Sequence, residues 1–123
     1  MRESRLWFWH ILSAVAILFL LGLHMGIMHM GTVLEALGLG STHPTATAEV
    51  FARSQHLFFM ITYIALLGTA LFHGLYGFRS ILCELSLSQS LQKAIGRLCT
   101  VAGFALFLYG TYVAVRVFQM KGV

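Results

Sequence analysis

Charge is scarce in this chain. Only 10% of its 123 residues are Asp, Glu, Lys or Arg, where a soluble domain usually carries about 25%. Hydrophobic residues make up 59%. That imbalance excludes an ordinary water-soluble globule and places the chain in a membrane. Its length fits one domain, residues 1–123. The formal charge of +4 does not point to nucleic acid. The basic residues stand at segment ends, where snorkelling and topology put them, and there is no basic stripe or nucleic-acid motif. Cysteine is limited to Cys83 and Cys99, without CxxC spacing. The expectation is two packing residues kept reduced on the cytoplasmic side, with a disulfide or metal pair as the alternative. The lone proline, Pro44, falls in a polar stretch with Ser41, Thr42, Thr45 and Thr47, after Gly38 and Gly40, and marks a loop.

Three long apolar runs remain. Residues 6–34 contain no Asp, Glu, Lys or Arg and exceed the roughly 20 residues needed to span a bilayer. A secretory leader is excluded, although Ala46-Thr47-Ala48 looks like a cleavage site. The run is far longer than the usual 7–15 residues, and the Ala-x-Ala lies too far beyond it. Residues 57–78 form the second run, opened by Arg53, Ser54 and Gln55 and closed by Arg79 and Glu84. Residues 98–115 form the third, preceded by Lys93 and Arg97 and ended by Arg116 and Lys121. The reading is an all-α integral membrane protein with three transmembrane helices, at about 6–34, 56–84 and 92–118. An outer loop covers about 35–55, and residues 86–90 make a short connection. With the N-terminus inside, Arg2, Arg5, Arg79, Lys93 and Arg97 lie inside, against Arg53, Arg116 and Lys121 outside. The positive-inside rule therefore puts the N-terminus in the cytoplasm.

The third helix has no buried ionisable residue. Gly96, Gly103 and Gly110 recur every seven positions, which predicts a small-residue seam for close helix contact. Polar groups in the other helices need more explanation, because they are costly inside a bilayer. His10 sits beside Trp7 and Trp9. It reads as an interfacial residue of the aromatic belt or as a contact for a quinone headgroup. His24 lies past mid-helix with Ser13 on its face. His29 is about 140° away around the axis and is the alternative to His24. His43 and His56 read as ordinary interfacial or solvated residues. The six methionines read as apolar filler rather than metal ligands.

The densest signal is the stretch from His73 to Glu84. On a helix, Gly77 lies about 40° and Glu84 about 20° from His73. One face thus carries an imidazole, a gap without a side chain, and a carboxyl at the helix end. This suits a flat cofactor ligated by His73 and approached at Gly77, with Glu84 handling protons nearby. Taking residues 20 and 70 as helix midpoints, His24 and His73 stand about 10 Å apart across the membrane. They are too far apart to share one haem iron. Three helices with one histidine at each level look like half of a cytochrome b bundle, the opposite ligands coming from elsewhere.

The pattern His73-x-x-x-Gly77-x-Arg79-x-x-x-x-Glu84 resembles the second transmembrane helix of the membrane-anchor subunits of succinate dehydrogenase and fumarate reductase. Ser13-Ala14-Val15 with Leu20-Leu21-Gly22-Leu23-His24 is similar to the first helix of that family. Gly110-Thr111-Tyr112-Val113 is similar to the small anchor of the actinobacterial two-anchor type. The resemblance covers all three helices and leaves out residues 37–49. It departs from the family where His10 and Ile11 stand near Ser13 in place of an arginine, and where Leu85 rather than a tyrosine follows Glu84.

The resemblance implies a complex in which electrons pass between succinate and a membrane quinone. FAD and iron–sulfur clusters belong to partner subunits, a flavoprotein and an iron–sulfur protein. A second membrane anchor shares one or two b-type haems with this chain. His73 would ligate the inner haem and His24 the outer one. Arg79 would meet a haem propionate or the iron–sulfur partner. His10 and Ser13 are candidate quinone contacts, and Glu84 the candidate proton carrier. The actinobacterial likeness suggests menaquinone, and the location implied is the cytoplasmic membrane. Two rivals stand beside this expectation: a haem-free structural anchor, and the anchor of another quinone-linked cytochrome b complex.

Overall fold

The computed structural model describes residues 2–38, 46–85 and 87–120. Gly40, Ser41, Thr42, His43, Pro44, Thr45, Ser86 and Lys121, all used above, lie outside them. Four helices make up the described chain: α1 (Arg2–Ala36), α2 (Thr47–Ser54), α3 (Leu57–Cys83) and α4 (Gln89–Gln119). No strand occurs among the described residues. Three of the helices, α1, α3 and α4, are long and apolar enough to cross a membrane.

The helices run past the apolar stretches that announced them. α1 begins at Arg2 rather than Leu6, and α4 begins at Gln89, before Lys93 and Arg97. Hydropathy marks where the bilayer ends. Backbone hydrogen bonding continues into the interface until a cap stops it. At the end of α1 the stop is Gly38, left-handed at φ 71°. Its N–H donates to Glu35 O at 2.9 Å, closing the last turn as glycine does best. At the start of α4 the side chain of Ser88 accepts from Leu91 N–H at 3.4 Å, an N-cap. The stretch between the first two spans holds a short helix, α2, that the polar composition did not announce. It packs against α3 and α4.

α3 is the central element. α1 and α4 pack on it from two sides, and their own backbones do not approach each other. Both pairings are antiparallel. Along α1 and α3, His10 meets His73 and His24 meets Tyr63. Along α3 and α4, Leu67, Leu75 and Arg79 meet Gly110, Gly103 and Gly96. The heptad-spaced glycines therefore face α3. A Cβ at Gly103 would stand 2.9 Å from Leu75 Cδ1 and one at Gly96 would stand 3.2 Å from Arg79 Nε. Gly68 returns the favour on α3, where a Cβ would meet the Phe107 ring at 3.1 Å. Missing side chains let these helices close, as expected of a membrane interface.

The row of helices has no buried apolar core: no hydrophobic side chain is buried among the described residues, and the polar ones that are buried are Ser13 and Thr62. Trp7, Phe8, Leu18, Phe19, Phe104 and Tyr109 are largely exposed. Water would penalise such faces heavily, whereas lipid tails do not. The inversion agrees with a bilayer as the solvent. Cys83 and Cys99 are free. In the α3–α4 register Cys99 lies near the level of Gly77, six residues or about 9 Å from Cys83, beyond disulfide reach.

Candidate functional site

The polar site lies between α1 and α3, toward the N-terminal end of α1. Ser13, 7% exposed, donates its Oγ–H back to His10 O at 2.6 Å, a common use of a helical serine. His73 Nδ1 lies 3.2 Å from Ser13 Oγ and 3.3 Å from His10 O. A carbonyl only accepts, and the serine proton is already committed to it. The tautomer that satisfies both oxygens at once donates from His73 Nδ1 and leaves the lone pair on Nε2. This is the tautomer of an imidazole that binds iron through Nε2 while its other nitrogen is held by oxygen. His73 thus fits an axial ligand.

The imidazole of His10 stacks on His73, with centroids 4.1 Å apart and planes 6° from parallel. Tyr76 closes against His10 at 5.0 Å, and Phe72 stacks on Tyr76 at 5.8 Å. The gap at Gly77 opens onto the same ring: a Cβ there would stand 3.4 Å from His10 Cε1. The flat group that the structure lays beside Gly77 is thus the neighbouring imidazole. Burial leaves His10 Nδ1 without a hydrogen-bond partner among the described residues.

His24 occupies a second level. It meets Tyr63 edge to face at 5.7 Å and has no hydrogen bond among the described residues. Tyr63 and His73 are ten residues apart on α3, about 15 Å along the axis. The two histidines are therefore farther apart than the 10 Å expected from midpoints of apolar runs. Packing sets the register, and it slides α3 relative to those midpoints. His29 is exposed.

Arg79 and Glu84 do not join the histidines. Arg79 turns to the opposite side of α3 and lies over Gly96 of α4, half-buried, with Nε buried and unbonded. Glu84 is exposed at the C-cap of α3, its N–H bonded to Ser80 O and Ile81 O. The angular argument that joined Glu84 to His73 relates positions on a helix and places no side chain at its end.

Sequence reading had not singled out Tyr63 or Tyr76. Tyr76 follows His73 by three positions, the spacing of helix-surface neighbours. Tyr63 carried no such signal, since its partner comes from α1. No group of three or more His, Cys, Asp or Glu side chains with metal-site geometry occurs among the described residues. Comparison of the chain with models of known protein families, with curated proteins and with solved structures finds no match.

Proposed function

We propose that this chain is a membrane-anchor subunit of a succinate:quinone oxidoreductase, respiratory complex II. In this reading it holds b-type haem together with a second anchor chain and helps to form the quinone site beside an iron–sulfur subunit. The flavoprotein subunit carries the dicarboxylate chemistry. The observation that carries the reading is the position of His73 Nδ1, 3.2 Å from Ser13 Oγ and 3.3 Å from His10 O, with His24 on a separate level of the same helix pair.

Haem b, when bound, supplies one-electron transfer at a potential set by its ligands and surroundings. The chain's own residues do the rest. His73 presents Nε2, and Ser13 with the His10 carbonyl fixes the ring and raises its basicity. His24 presents a nitrogen at the outer level, with Tyr63 limiting the tilt of its ring. Glu84 stands at the helix end with access to water, as a proton carrier for quinone must.

A haem-free anchor is the second reading. The stacking of His73 on His10 favours it, because both rings find neighbours within one chain. A reduced-minus-oxidised spectrum of the complex purified with its partners decides between them. A b-type signal is expected, and its absence would overturn the haem reading.

A further inference from the structure

A groove of about 900 Å³ runs between α3 and α4 and reaches Leu6 of α1 and Tyr76, whose ring also closes against His10. Its body is apolar and aromatic, lined by Leu71, Phe72, Leu75, Phe104 and Phe107. One end is different: Arg79, Lys93 and Arg97 converge there, with Gln92 beside them. The described lining contains no carboxylate. Among the described residues Arg79 Nε is buried without a hydrogen-bond partner, and neither Lys93 nor Arg97 forms a hydrogen bond or ion pair with any of them. Three cations at one site repel one another, and a half-buried guanidinium lacking a partner is costly.

We propose that this groove is a binding site for one anionic phospholipid. Its phosphate is held by Arg79, Lys93 and Arg97, and one acyl chain lies along α3 toward Gly68. The distances fit. Arg79 and Gly68 are eleven residues apart, about 16 Å along the helix, or roughly half the thickness of the hydrocarbon core. The three cations sit near the helix ends, at headgroup depth, on the side that the positive-inside rule makes cytoplasmic. Basic pockets between transmembrane helices on that side recognise anionic headgroups. Gly96 and Gly103 let α4 come close to α3, so Arg79 and Leu75 close over them and form the groove's floor. A neutral, zwitterionic lipid offers the same tails but leaves the cations uncompensated. The proposal does not rest on the haem reading, because neither histidine lines the groove.

The test is native mass spectrometry of the full chain, released from detergent micelles containing equal amounts of phosphatidylglycerol and phosphatidylcholine. One phosphatidylglycerol per chain is expected, in clear preference to phosphatidylcholine. Arg79→Gln, Lys93→Gln and Arg97→Gln should each lower that preference about fivefold, while Arg79→Lys keeps most of it. Arg116→Gln, at the other end of α4, should leave it unchanged and controls for loss of net charge. Circular dichroism confirms that each variant stays helical. Equal retention of the two lipids by the unaltered chain would overturn the proposal, as would an equal effect of Arg116→Gln. Displacement of the lipid by millimolar inorganic phosphate would identify an anion site that makes no use of the acyl groove, and would overturn it too.

Discussion

His73 and His10 lie ring to ring, 4.1 Å between centroids, and the Ser13 hydroxyl meets both the His73 Nδ1 and the backbone carbonyl of His10. Ser13 Oγ–H donates to the His10 carbonyl, and with Nδ1 protonated His73 donates to Ser13 Oγ. The shared oxygen makes Ser13 a positioning residue in the haem reading. Ser13→Ala should weaken haem binding about tenfold, the lower end for loss of an outer-shell partner, because the His10 carbonyl remains. Ser13→Thr keeps the hydroxyl and should restore binding. His73→Leu should abolish the inner centre and leave the outer one. Titration of haem into the purified complex, followed by its absorbance, measures all three. An inner centre that survives His73→Leu would remove His73 from the assignment.

Glu84 has no packing duty that explains it. It is exposed beyond the last turn of α3. Glu84→Gln keeps its size and removes its proton exchange. Quinone turnover should fall about tenfold or more, within the range for loss of a general acid or base, while the haem spectrum stays intact. Steady-state quinone reduction by the reconstituted complex, beside that spectrum, gives both readouts. Unchanged turnover would remove Glu84 from the mechanism.

The sequence made some of this arrangement legible and hid other parts for physical reasons. The three spans could be read because bilayer solvation imposes a long apolar run on each. The glycine seam could be read because seven residues return to nearly the same helix face, and it does face α3. The partner of Gly77 could not be read, because a gap on a helix face does not say what fills it. His10 fills it through a register that only packing determines. Arg79 illustrates the same limit. Two positions from Gly77, it lies on the other side of α3 and belongs to the groove with Lys93 and Arg97.

Gly77 offers a direct test of that packing. A Cβ there would come no closer than 3.4 Å to His10, an ordinary contact, so Gly77→Ala should be tolerated. Gly77→Leu fills the space that His10 occupies and must displace its ring from His73. A loss of about 1–3 kcal/mol is expected, as for other overpacked sites. Equilibrium unfolding in mixed micelles measures it, and ring displacement is read from the histidine signals in an NMR spectrum. Unperturbed histidine signals in Gly77→Leu would show that His10 does not lie against Gly77.

The glycines of the α3–α4 seam should respond differently from those of α1. At Gly103 a Cβ would stand 2.9 Å from Leu75, closer than real contacts allow, and at Gly110 it would collide with Leu67. Leucine at either position must displace the Leu75 or Leu67 side chain that fills the seam. At Gly22 and Gly26 nothing lies within 4 Å of an added Cβ, and their faces are exposed. Gly103→Leu and Gly110→Leu should therefore each cost about 1–3 kcal/mol. Gly22→Leu should cost nothing measurable in the isolated chain, since leucine is the better helix former. Unfolding of the isolated chain in mixed micelles compares the three variants. Equal losses at Gly22 and Gly103 would mean that helix propensity, and not close approach of α3 to α4, explains the seam.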